Sequence, residues 1–206
     1  MTVLPKIAPV LCSLIIAGAL GADAAGQAIA ASPPNNEVVI AKAPQELGEF
    51  ELTDQDAHPF TFSRLRGQTS LVFFGFTHCP DVCPTTLLSL KLSDESRDRA
   101  LPRPTVVMIS VDGDRDTPAA MKSYLASFSP DFIGLTGDPR AVRDIAARFS
   151  AVFFKGLPMD RSGRYLVEHT SQVYLVDGEG RLRATFNNAS VKTIVDITRA
   201  VLAEKG

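Results

Sequence analysis

The most constraining stretch of this chain begins with a short apolar run, Leu71-Val72-Phe73-Phe74-Gly75-Phe76. Such a run fits a central strand buried on both faces. Thr77-His78-Cys79-Pro80-Asp81-Val82-Cys83-Pro84 follows at once. Pro84 suits the first turn of a helix, and Leu87, Leu88 and Leu92 give that helix an apolar face. A strand, a short loop and a helix start therefore present two thiols, four positions apart, that can converge on one point.

Helix N-termini carry partial positive charge and unsatisfied N–H groups. A cysteine in the first turn is expected to ionise more readily there, so the thiol of Cys83 is predicted to have a lowered pKa. Thiolates are soft ligands that select Cu(I), zinc or clusters. The pair can equally form a disulfide or act as a redox couple. As a structural staple it would constrain little, because the loop it closes is very short. A third donor would complete a metal site, and the chain has three histidines. His58 lies in a predicted hairpin turn beside Pro59. His78 neighbours Cys79 and points away if the strand continues. His169 precedes a predicted strand and can approach the pair across a sheet edge. Spacing alone leaves it open whether His169 is a ligand or a surface histidine.

The first residues read as a targeting segment. Lys6 supplies a positive start, and residues 7–20 are apolar. Ala22-Asp23-Ala24 and Ala28-Ile29-Ala30 are small-x-small sites for a signal peptidase. The alternative is an uncleaved membrane anchor, which wants about 20 apolar residues; Asp23 interrupts the run. Both readings export the rest of the chain, to a bacterial-type periplasm. Cys12 lies in the apolar segment after Leu11, where a lipoprotein site would need a small residue, so it reads as a buried hydrophobe. Cys79 and Cys83 are then the thiols of the exported part, where an unprotected pair tends to oxidise. The formal net charge is −2 with no long basic run, which speaks against nucleic acid as a partner.

The expected organisation is a signal peptide or anchor over 1–30, a linker over 31–45 and one domain over 46–206. Phe50 and Leu52 pair with Phe60 and Phe62 in a predicted hairpin. Residues 105–111 form a second buried strand. Thr117-Pro118 and Asp138-Pro139 open two helices, with a short strand over 132–135 between them. Residues 152–165 are less regular, with a turn at Asp160-Arg161-Ser162-Gly163. Asp177-Gly178-Glu179-Gly180 marks a hairpin between 172–176 and 181–186, and Ser190 caps a last helix. Strands alternating with helices indicate an α/β sandwich with a mixed central sheet.

Gly75-Phe76-Thr77-His78-Cys79-Pro80-Asp81-Val82-Cys83-Pro84-Thr85-Thr86-Leu87 resembles the motif of the Sco/SenC family, exported copper-binding proteins that help assemble the dinuclear copper centre of cytochrome c oxidase. Two further segments are similar to the family's: Asp112-Gly113-Asp114-Arg115-Asp116-Thr117-Pro118, and the histidine segment Tyr165-Leu166-Val167-Glu168-His169-Thr170-Ser171. The resemblance runs from about Glu49 to the C-terminus. It implies an α/β thioredoxin-like fold with a mixed central sheet, helices on both faces, an N-terminal hairpin and an inserted hairpin before His169. It also implies a copper ion, as Cu(I) or Cu(II), held by Cys79, Cys83 and His169. Where the family has Asp-His-Ser, this chain has Glu168-His169-Thr170, and a longer acid there would act on the orientation of the imidazole. Asp112, Glu168 and His78 are candidates for tuning the site or docking a partner; Asp116 is expected to cap the helix at Pro118.

The function that follows from the resemblance is a copper metallochaperone. Its partner is the copper-receiving subunit of cytochrome c oxidase, with a periplasmic copper donor and a thioredoxin-like reductant as further candidates. The rival is a thiol-disulfide oxidoreductase acting on the partner's copper-site cysteines. Against the rival, thioredoxins use Cys-x-x-Cys, whereas three residues intervene here.

Overall fold

A computed structural model describes residues 37–159 and 164–204. The expected signal peptide or anchor and the turn at 160–163 lie outside the described residues. Among the described residues, no helix is long and apolar enough to cross a membrane.

In chain order the elements are β1 (Val38–Glu46), β2 (Glu51–Asp54), β3 (Pro59–Thr61), a 3-10 turn over Phe62–Leu65, β4 (Ser70–Gly75), α1 (Val82–Glu95), β5 (Thr105–Ser110), α2 (Pro118–Ala126), β6 (Ile133–Thr136), α3 (Pro139–Arg148), β7 (Phe153–Lys155), β8 (Val167–His169), β9 (Val173–Val176), β10 (Arg181–Phe186) and α4 (Val191–Ala203). Among the described residues, eight strands form one sheet in the order β1-β10-β9-β4-β5-β6-β2-β3. β4 runs parallel to β5 and antiparallel to β9, so the sheet is mixed. β4 is buried at every position, as its uninterrupted apolar run requires.

Register decides what faces what. Leu71, Phe73 and Gly75 share one face of the sheet, and Val72 and Phe74 the other. On the first face, α1 packs against α4, and Met121 and Leu125 of α2 close over Gly134. On the second, Phe149 at the end of α3 meets the rings of Phe74 and Tyr174 edge to face, at 5.4 Å and 5.3 Å. Helices thus cover both faces, in the thioredoxin-like arrangement expected. Local chemistry starts the helices: the side chains of Thr117, Asp138 and Ser190 each accept from backbone amides of the first turn, and Pro118 and Pro139 occupy positions whose amides need no partner.

Two boundaries differ from expectation. Residues 38–45, read as linker, form most of β1, which pairs antiparallel with β10. Its sequence shows no strand period because the strand is exposed along most of its length. Its extended state comes from hydrogen bonding to the edge of β10. The inserted hairpin is also placed differently. β7 pairs with β8 in a two-stranded sheet of its own, with Phe153 opposite His169. His169 is therefore the last residue of the hairpin and does not follow it.

Candidate metal centre

β4 delivers the chain to the site and α1 carries it away. After Gly75 the loop folds tightly, with the Cys79 amide donating to the Phe76 carbonyl at 3.2 Å. Asp81 precedes α1 but its side chain makes no capping bond. Instead the Cys83 amide, in the first turn, donates to Cys79 Sγ at 3.4 Å. A sulfur thus takes one of the orphan amides of the helix start. Both cysteines are free and buried, Cys83 at 1% exposure and Cys79 at 9%, so solvent reaches the pair from the Cys79 side.

Gly75 makes room for this packing. A Cβ there would lie 2.8 Å from the Phe73 ring and 3.0 Å from Cys83 Sγ. No signal in the motif marked that role; it follows from the strand register.

His169 comes from the far end of the chain. Its Nδ1 lies 3.0 Å from the Thr170 carbonyl, and its Nε2 lies 3.5 Å from Cys83 Sγ. A carbonyl only accepts, so Nδ1 carries the proton and Nε2 offers its lone pair to the thiols. The ring stands edge to face on Phe76 at 5.7 Å. Thr170 holds the hairpin shut behind it: its amide donates to the Val152 carbonyl, and its hydroxyl accepts from the Val152 amide, both at 2.9 Å. The ligand atoms of Cys79, Cys83 and His169 all lie within 4.8 Å of one another.

Electrostatics depart from the sequence expectation. Burial pushes the Cys83 thiol well above its ordinary value, with the hydrogen bond to Cys79 adding to the effect. The favourable field of the helix start does not compensate for a thiolate removed from water. Burial likewise holds the His169 imidazole below its ordinary value, with the Thr170 carbonyl opposing. In the metal-free site Cys83 is thus a thiol and His169 a neutral imidazole.

Asp116 does not cap α2, since Thr117 does so. Its fully buried carboxyl group accepts from the Thr77 amide at 3.0 Å, the Thr77 hydroxyl at 2.6 Å and the Ser110 hydroxyl at 2.7 Å. It ties the cysteine loop to the end of β5. The signal was present in the sequence, because Thr117 is itself a good cap immediately before Pro118. His78 is exposed, with Nδ1 3.0 Å from Thr77 Oγ1 and 3.8 Å from Asp116 Oδ1. Asp112 is 4% exposed and engaged from within. It accepts from the Tyr165 hydroxyl at 2.7 Å and from Arg115 Nε, which removes it as a docking surface. Glu168 is exposed, across β8 from His169. His58 sits in the β2–β3 turn with its side chain 75% exposed, and takes no part in the site.

The family model of SCO1/SenC matches residues 39–203. A SCO2-like protein of Rickettsia conorii is 37% identical over 157 residues, which cover 74% of this chain and 75% of that protein. Among solved structures, Bradyrhizobium japonicum ScoI with copper bound is 37% identical with a TM-score of 0.68, over 75% of this chain and 98% of the other. Yeast Sco1 with copper bound is 34% identical with a TM-score of 0.69, over 76% of this chain and 88% of the other. Arabidopsis thaliana ScoI with copper bound is 30% identical with a TM-score of 0.70, over 76% and 98%. The family match takes in all three motifs and nearly all of the described residues, and the chain belongs to the SCO1/SenC family.

Proposed function

We propose that the protein is a copper carrier that holds one copper ion as cargo on Cys79, Cys83 and His169, and passes it to the dinuclear copper centre of cytochrome c oxidase. One observation carries the reading: three ligand atoms of the right kind lie within 4.8 Å of one another. A thiolate sits about 2.3 Å and an imidazole about 2.0 Å from an ion of zinc's size, so ligands around one such ion lie roughly 3.5–4 Å apart. The 3.5 Å between Cys83 Sγ and His169 Nε2 already fits.

The donor set favours copper. Two thiolates suit Cu(I), and the imidazole makes Cu(II) bindable as well. A structural zinc site would want a fourth protein ligand, and among the described residues the group holds three. The copper-bound relatives support the same reading. Export to the periplasm is part of the proposal and rests on the apolar segment at 7–20.

The test is titration of the reduced protein with Cu(I) against a competing chelator, and with Cu(II) followed by its charge-transfer spectrum. One ion per chain is expected, with tight binding lost in Cys79→Ser, Cys83→Ser and His169→Ala. Retention of wild-type affinity by His169→Ala would sink the three-ligand reading.

A second reading is supported by the free thiols. The pair can give two electrons and two protons to a partner's disulfide, forming the Cys79–Cys83 disulfide while the partner's two thiols are released. Exchange with an oxidised peptide carrying the recipient's two cysteines separates the readings. A carrier releases copper to the reduced peptide and reduces the oxidised one slowly.

A further inference from the structure

The two kinds of ligand are mounted differently. Cys79 and Cys83 belong to the β4–α1 frame, whose strand is buried throughout. His169 arrives on a hairpin that is not part of the main sheet. Within that hairpin the pairing is short, three residue pairs from Phe153↔His169 to Lys155↔Val167. Its outer side is exposed at Val152, Phe154 and Leu157. Something must fix the hairpin against the frame if the imidazole is to stay over the thiols.

The loop between β5 and α2 supplies that fixing, and Tyr165 receives it. The Tyr165 hydroxyl donates to Asp112 Oδ1 at 2.7 Å. Arg115 Nη1 donates to the Tyr165 carbonyl at 3.1 Å, and the guanidinium lies 3.8 Å from the centre of the Tyr165 ring. Lys155 Nζ, from β7, approaches the same ring at 4.2 Å and pairs with Asp114 at 2.6 Å. Arg115 also lies 5.9 Å from the ring centre of Phe76, which meets the His169 ring edge on. An unbroken series of contacts thus runs from Tyr165 through Arg115 and Phe76 to His169. Tyr165, Arg115 and Phe76 lie outside the candidate ligand set, which the series reaches only at His169.

We propose that Tyr165, clamped by Arg115 and Asp112, is a positioning residue for His169, and that this clamp sets how fast the site releases its copper. The inference rests on the three-ligand reading. With the clamp closed, the imidazole stays over the thiols and the ion keeps three ligands. With the clamp open, the hairpin can swing away and leave two thiolates, a site from which a recipient's ligands can take the ion. Outer contacts that orient a metal-bound imidazole typically change affinity about 10–100-fold when removed.

The test uses the full chain with Tyr165→Phe, which removes one hydroxyl, and Arg115→Lys, which keeps the charge but loses the planar fork. Copper release from the Cu(I) protein to a chelator is timed by stopped flow. Each variant should release copper roughly 10-fold faster or more, and the Cu(II) spectrum should lose part of its nitrogen contribution. The decisive arm repeats Tyr165→Phe in the His169→Ala background. There the added substitution should change nothing, since the residue it positions is gone. Equal acceleration with and without His169 would overturn the inference, as would an unchanged rate in Tyr165→Phe. The latter outcomes leave the ligand set standing if His169→Ala alone still weakens binding; wild-type binding by His169→Ala would overturn the ligand set itself.

Discussion

Cys83 Sγ and His169 Nε2 lie 3.5 Å apart although 86 positions separate them in the chain. The buried thiol faces an imidazole lone pair whose orientation is fixed by the Thr170 carbonyl. A neutral S–H can rest in that contact without water. A metal ion must displace its proton.

Proton release follows from that contact. Burial raises the Cys83 pKa, so the thiol is protonated across the neutral range, while the depressed His169 pKa leaves the imidazole free of competing proton. Copper uptake is expected to release at least one proton per ion. The apparent Cu(I) affinity should then rise about tenfold per pH unit for each proton released. Dye-detected proton release in weak buffer, with affinities at pH 6, 7 and 8, checks this. A flat profile would mean that Cys83 is already a thiolate.

The metal-free protein should show two limbs in its stability. A lowered His169 pKa means that the unfolded chain binds the extra proton more readily. That contribution is present above the ordinary value of 6.5 and is lost as pH falls below it. The raised Cys83 pKa works in the other direction: its contribution is present below 9.0 and is lost as pH rises beyond. Each group limits its own slope to about 1.4 kcal/mol per pH unit. Urea unfolding across pH 5–10 should show the acid limb flatten in His169→Gln and the alkaline limb flatten in Cys83→Ser. Unchanged limbs would contradict the burial of these groups.

Gly75→Ala tests the packing under the thiol. The added methyl would meet the Phe73 ring at 2.8 Å, Cys83 Sγ at 3.0 Å and Met108 Cε at 3.3 Å. Overpacking of this kind costs about 1–3 kcal/mol, or about 2–4 °C in Tm for each kcal/mol at this size. Copper should still bind one to one, but more weakly, because Cys83 Sγ is among the atoms that the methyl crowds. Wild-type values for both Tm and affinity would show that the glycine is dispensable.

Much of this architecture was legible because its causes are local. The apolar run at β4, the Thr117-Pro118 and Asp138-Pro139 starts and the Asp177-Gly178 turn each act within a few residues. β1 was not legible, because its extended state depends on hydrogen bonds to β10, some 140 positions away. The three candidate ligands were found from motif order, since spacing alone left His169 open. The charge state of Cys83 was misread for a physical reason: a helix start predicts its field, but only the packed structure tells how little water remains. Thr117 before Pro118 marks Asp116 as something other than the cap, but what Asp116 and Tyr165 hold was not legible, because their partners, Thr77 and Arg115, are brought to them by tertiary folding.

Asp116 offers the sharpest test of how the cysteine loop is held. Its carboxyl group takes two bonds from Thr77 and one from Ser110 in a place without solvent. Asp116→Ala leaves the Thr77 amide with no acceptor, and a buried donor so stranded costs about 1–3 kcal/mol. The two hydroxyls can turn elsewhere, so the total loss is expected at about 2–4 kcal/mol by urea unfolding. Asp116→Asn keeps the shape and one good acceptor, and should lose about half as much. The loop carries Cys79 two residues beyond Thr77. Loosening it should therefore weaken copper binding and speed oxidation of the pair by a disulfide reagent, in the order Ala, Asn, wild type. If both variants stay within about 0.5 kcal/mol of wild type, the range of an ordinary surface change, the carboxyl group does not hold the loop.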